Sequence, residues 1–130
     1  MPYSLYTKNK FNELAHGKTA FTLPTAYIAL STTTPSGTDT NITEPVGGSY
    51  ARVATSGATW GSSASGSITS AAAITFPTAT ASWGTVTHIV AYDAVSGGNV
   101  LWWAALGASQ SVPSGVTVTI PAGSATTTLS

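Results

Sequence analysis

Four carboxylates, two histidines and a scatter of serines are all that this chain of 130 residues offers for catalysis. The acids are Glu13, Asp39, Glu44 and Asp93. Glycoside hydrolysis needs two carboxyl groups held rigidly across a sugar-binding cleft. Asp39 and Glu44 share one turn-rich stretch and could approach each other, but nothing around them reads as a cleft, and they are expected to be solvated loop acids. A metal centre needs several converging His, Asp or Glu ligands. His16 and His88 stand far apart, outside any HxH or HExxH pattern, and Asp39-Thr40-Asn41 is only a fragment of a calcium loop. His88, among Val86, Val90 and Tyr92, reads as a core or interface histidine. A serine nucleophile would sit in a GxSxG elbow, which is absent, so His88 and Asp93 do not imply a triad. The glycines at 47–48, 57–66 and 97–98 match no phosphate-binding pattern and read as turns. No catalytic, cofactor-binding or metal-binding residue is expected, and the chain is expected not to be an enzyme.

Aromatic residues offer the other possible chemistry. Trp60, Trp83, Trp102 and Trp103, with Tyr27, Tyr50 and Tyr92, could stack on sugar rings. Trp102 and Trp103 are neighbours on an expected strand, so they point to opposite faces. One should fill the core and the other should face a second layer or a partner. Core and subunit interface is the preferred reading, and carbohydrate binding the alternative.

Composition points the same way. Only 6% of residues are charged, against roughly 25% in ordinary globular chains. Beyond Arg52 the only charged side chain is Asp93. The net charge is zero, which gives no attraction to nucleic acid or an anionic membrane and little protection against association. Lys8, Lys10, Lys18 and Arg52 form no basic stripe, so no nucleic-acid partner is expected. Cysteine is absent, excluding disulfides and thiolate chemistry. The first 18 residues lack the apolar core of a signal peptide, and no run approaches the length of a membrane-spanning helix, so no membrane partner is expected.

The elements that must position these residues are mostly strands. Residues 7–16 are the one helical stretch, with Thr7 as N-cap, Gly17 as the glycine after the last turn, and Phe11, Leu14 and Ala15 on one face. Strands are expected at 26–31, 50–54, 67–76, 116–120 and 125–129, with a hairpin of 86–92 and 99–106 joined through Gly97-Gly98. In VTVTI (116–120), valine and isoleucine alternate with threonine, as in a half-buried strand. Residues 32–48 form a turn-rich loop and the best candidate for a contact arm. The pattern predicts a mainly β protein: one antiparallel, jelly-roll-like β-sandwich with a short amino-terminal helix. It is expected to be a single domain, divided into a helical arm (1–20), an extended loop (32–48) and a β-body (50–130).

A family resemblance rests on several stretches. A short helix carrying NKFNEL is followed by YIALSTTTP, then GGSYARV (47–53), ITFPTATASWGTVTHIVAYDA (74–94), GGNVLWWAAL (97–106) and a closing VTVTIPAGSATTTL. Together they resemble the small virion proteins of tailed bacteriophages, labelled tail-fibre or head-decoration proteins, over nearly the whole chain. The resemblance implies a structural role, many symmetric copies and no active-site residues. The leading expectation is a capsid decoration or cement protein that stabilises the assembled head shell, and the alternative is a tail-fibre or tail-tip component binding a host receptor. Expected partners are the major capsid protein or other virion proteins and sister copies, as a homotrimer. Assembly is expected in the host cytoplasm, and the virion location is placed on the capsid before the tail. The expected interface residues are Tyr3, Tyr6, Phe11, Asp39, Glu44, Arg52, Trp102 and Trp103.

Overall fold

The computed structural model describes residues 3–22, 24–37 and 39–128. It is mainly β and antiparallel, with one short helix near the amino end, as the sequence pattern implies. One layer is a four-stranded sheet in the order β2 (Val53–Ala54), β1 (Tyr27–Ser31), β5 (Gly84–Tyr92), β6 (Val100–Val112). The other consists of two ribbons: β3 (Ser67–Thr69) with β8 (Thr126–Thr128), and β4 (Ile74–Thr75) with β7 (Thr119–Ile120). The main core gathers apolar side chains from both layers, including Ile28, Leu30 and Ile89 from the sheet and Ile74, Phe76 and Ile120 from the ribbon side. A smaller cluster of Ala29, Val90, Tyr92 and Val100 lies on the opposite face of the sheet, against Ile42 and Trp103. Trp102 joins the main core and Trp103 the smaller cluster, so the two tryptophans do separate to opposite faces.

The hairpin of β5 and β6 forms where expected, because alternating apolar residues meet a turn that only glycine closes well. Asp93 accepts hydrogen bonds from the Asn99 backbone (2.7 Å) and side-chain amide (3.0 Å). Gly98 sits at φ +76, and a Cβ there would lie 2.5 Å from the Asp93 carboxylate. The burial alternation expected in 116–120 holds, with Val118 and Ile120 buried and Thr117 and Thr119 exposed, but of the expected strand only Thr119–Ile120 pairs as β7.

Three further expected elements are drawn differently, each because a partner distant in the sequence takes part in its backbone hydrogen bonding. The helix, α1, spans Leu5–Ala15, and its N-cap is Ser4 rather than Thr7. Ser4 donates its backbone N–H to the Leu101 carbonyl (3.0 Å), which fixes the turn into the helix there, while Thr7 lies buried within the first turn. Gly17, at φ +70, ends the helix as expected, with Lys18 N–H bonding the Glu13 carbonyl and Gly17 N–H that of Leu14. Leu14 remains 52% exposed, so the predicted apolar face is only partly covered.

The single strand expected at 67–76 is two strands. Ser70 breaks it: its N–H donates to Ala125, its hydroxyl accepts from Gly123 and Ala125, and the next two amides turn to the Thr59 carbonyl. The strand expected at 50–54 is only Val53–Ala54, because the Tyr50 hydroxyl, not its backbone, takes the Leu30 N–H at 3.1 Å.

Gly98→Ala is expected to destabilise the protein by about 1–3 kcal/mol, since it adds left-handed strain and a clash with Asp93. Gly97→Ala, whose Cβ would meet nothing within 4 Å, is expected to lose less. Urea unfolding of the two variants beside the parent checks this, and equal losses would contradict it.

Candidate interaction surface

Few charges remain to face outward, because most of those beyond the helix are engaged within the chain. Asp39, itself at φ +63, reaches from the 32–48 loop to the start of α1. Its carboxylate accepts from the N–H groups of Leu5 (3.0 Å) and Tyr6 (3.3 Å). Ser4 Oγ accepts from Thr7 N–H (3.0 Å). With Ser4 N–H on Leu101, all four amides that a helix start leaves unsatisfied have acceptors. A carboxylate at this end is also favoured by the helix dipole.

Glu44 and Arg52 form the second arrangement. The guanidinium binds the carboxylate in a fork, Nη2 to Oε2 at 2.7 Å and Nε to Oε1 at 3.0 Å. Its remaining nitrogen donates to the carbonyls of Ala94 and Gly97, both at 2.8 Å. Its plane lies 3.6 Å from the centre of the Tyr92 ring. The Tyr50 hydroxyl donates to Glu44 Oε1 at 2.7 Å. Burial alone would raise the Glu44 carboxyl, but the hydrogen bonds from Arg52 and Tyr50 outweigh it and hold the group below its ordinary 4.5. Burial, and then the bond to Glu44, push the Tyr50 phenol well above its usual range.

The eight expected interface residues thus fall into separate places. Tyr3, Tyr6 and Phe11 cluster with Phe21, with edge-on ring contacts at 5.4–6.4 Å. Tyr3, Phe11 and Phe21 line an apolar cleft of about 320 Å³ between α1 and β6, floored by Trp102. Trp102 is only 8% exposed and packs edge-on against Trp60. Trp103 lies on the other face of the sheet beside His88, whose pKa burial lowers. Asp39, Glu44 and Arg52 are bonded inside the chain as described. The 32–48 loop, expected to reach outward, folds back on β1: Thr32 N–H meets the Thr43 carbonyl, and Ser31 Oγ takes the amides of Thr33 and Thr43. Among the described residues no three His, Asp or Glu side chains converge on a common point. No described helix is long and apolar enough to cross a membrane.

What reading the sequence missed is a pair of exposed valines. Val46 is 93% exposed and Val95 64% exposed. Val46 follows Glu44-Pro45, and Val95 belongs to the hairpin turn whose carbonyls Arg52 holds. The ion pair therefore ties together the two turns that carry them. A shallow cleft of about 270 Å³ beside the ion pair is lined by Glu44, Tyr50, Arg52 and Val95 among others. The one sequence signal was a β-branched residue placed inside each of two turn-forming strings, PVGG and AVSGG.

Residues 2–128 match the family described as podophage GP4 fiber I protein gp80. The chain belongs to that family. It is a bacteriophage structural protein of the virion. A search of curated proteins finds no match.

Arg52→Ala is expected to cost about 3 kcal/mol, because it leaves a partly buried carboxylate unpaired; Arg52→Lys should recover little, lacking the fork. Folding lowers the Glu44 pKa, so its stabilisation is whole above 4.5 and is lost as pH falls through the lower folded value. Glu44→Gln should therefore be less stable than the parent at neutral pH and lose less on acidification below 4.5. Urea unfolding of both proteins across that range measures the difference, and parallel pH curves would count against it.

Proposed function

We propose that this protein is a non-enzymatic component of a podophage fibre that makes contact with the host surface through the end carrying Val46 and Val95. The observation that carries the reading is the Glu44–Arg52 pair, which braces two turns and leaves their apolar side chains outward. Exposed apolar groups on rigid loops are a common recognition device, since little ordering entropy remains to be lost on binding. The family's description speaks of a fibre, which supports the tail-fibre alternative over the capsid-decoration expectation. A non-enzymatic role is supported by the engagement of Asp39, Glu44 and Asp93 in backbone and ion-pair contacts. Attachment to other virion proteins and to sister copies belongs to the same proposal.

Phage carrying Val46→Asp and Val95→Asp together should incorporate the protein normally yet adsorb to host cells at least about tenfold more slowly, as expected when an apolar contact worth about 1.4 kcal/mol is lost. Unchanged adsorption with normal incorporation would reject the contact. Gold labelling of the protein on purified virions should mark the tail, and label spread over the head shell would reject the fibre reading.

A further inference from the structure

We infer that the cleft beside Trp60 is a binding site for a neutral saccharide of the host surface. The cleft holds about 480 Å³, within the range of roughly 300–1,000 Å³ usual for small-ligand pockets. Trp60, Ile68 and Pro24 give it apolar walls. Thr25 and Ser56 add exposed hydroxyl groups, and Gly57 lies beside them.

Trp60 differs from the other tryptophans. Trp83 and Trp102 are buried in the main core, and Trp103 lies on the opposite face of the sheet. Trp60 is half-buried and borders the cleft. Its ring is nonetheless held in place. It meets Trp102 edge-on, with ring centres 5.6 Å apart. Its Nε1–H donates to the Thr55 hydroxyl at 3.2 Å, and that hydroxyl donates to the Ala26 carbonyl at 2.7 Å. The indole nitrogen is therefore engaged within the chain, and the ring offers a ligand its carbon surface. A side chain already fixed in this way loses little freedom on binding.

The class of ligand follows from the lining. A pyranose carries a face of C–H groups edged by hydroxyls. The C–H face is attracted to the electron-rich face of an indole, and the hydroxyls find partners in Thr25 and Ser56. No charged side chain among the described residues lines the cleft, so a charged peptide or an acidic sugar would meet no counter-charge. A wholly apolar ligand would strip water from the rim hydroxyls without replacing its hydrogen bonds.

The register of the sheet sets the position of the cleft. Tyr27 pairs with Ala54 on one side and with Tyr92 on the other, both antiparallel. Pro24 and Thr25, before Tyr27, and Ser56 and Gly57, after Ala54, thus leave the sheet at the same end as the turn after Tyr92, which carries Val95. A saccharide at Trp60 lies at the end proposed for host contact. The inference rests on that reading for the source of the sugar, while the binding itself rests on the cleft.

The test is binding of the fluorescently labelled full chain to an array of neutral and acidic glycans, followed by titration of the strongest binder. The parent should bind neutral glycans, and Trp60→Ala should weaken the titrated one at least about tenfold. Trp60 also packs on the core, so Gly57→Leu is the second variant. A Cβ at Gly57 meets nothing within 4 Å, so this change fills the cleft and keeps the fold, and it should weaken binding to a similar extent. Trp103→Ala should bind as the parent does. Absence of neutral-glycan binding, binding confined to acidic glycans, or unchanged titrations in both Trp60→Ala and Gly57→Leu would each overturn the inference. Val46→Asp with Val95→Asp should leave glycan binding by the purified protein intact, and its loss there would place the sugar away from Trp60. Adsorption and glycan binding are thus measured apart, so the failure of one proposal is distinct from the failure of the other.

Discussion

The bonds made by Arg52 organise the molecule more than any other single group. One guanidinium joins the carboxylate of Glu44, two carbonyls of the β5–β6 turn and the face of Tyr92. Through Glu44 it also reaches the Tyr50 hydroxyl, which in turn accepts the Leu30 amide of β1. A loop, an inner strand and the end of the principal hairpin are thereby fixed relative to one another. Such an arrangement tolerates burial because each donor and acceptor has a partner; no buried side-chain nitrogen or oxygen among the described residues is left without one.

In a chain with 6% charged residues, the placement of each charge carries weight. Asp39 closes the start of α1, Glu44 and Arg52 clamp two turns, and Asp93 closes the hairpin. Ion pairs on open surfaces contribute little, and these groups mostly bind backbone instead. Apart from Lys8, Lys10, Glu13 and Lys18 on and just after α1, the remaining surface carries no charge and is rich in threonine and serine, with a few bare apolar points. A surface of that kind associates through shape and hydrogen bonding rather than through long-range attraction.

The features that local pattern can encode were legible in the sequence. Paired glycines after a period-two run marked the β5–β6 hairpin, alternation marked Val116, Val118 and Ile120, and Gly17 marked the end of α1. The features that depend on distant partners were not. Ser4 begins the helix because of a carbonyl on β6 and the Asp39 carboxylate, which lies 34 residues beyond Leu5. Ser70 splits a strand because Ala125 and Thr59 draw its backbone aside. Glu44 and Arg52 were singled out as contact residues because they are charged, and no spacing rule tells that they face each other. The exposure of Val46 and Val95 follows from that pairing and was hidden for the same reason.

The start of α1 has a consequence for the order of events in folding. An isolated helix of 11 residues is marginal in water, and here its first amides are held by three separate parts of the chain: Ser4 itself, the Asp39 loop and the start of β6. Two of those acceptors exist only once the β-body has closed. Helix formation is thus coupled to completion of the hairpin and the loop, and the aromatic cleft beneath α1 loses its helical wall whenever either lets go. A subunit with a loosened β-body would display that apolar cleft, whereas a finished one keeps its walls in place, so the helix acts as a marker that the rest of the fold is complete.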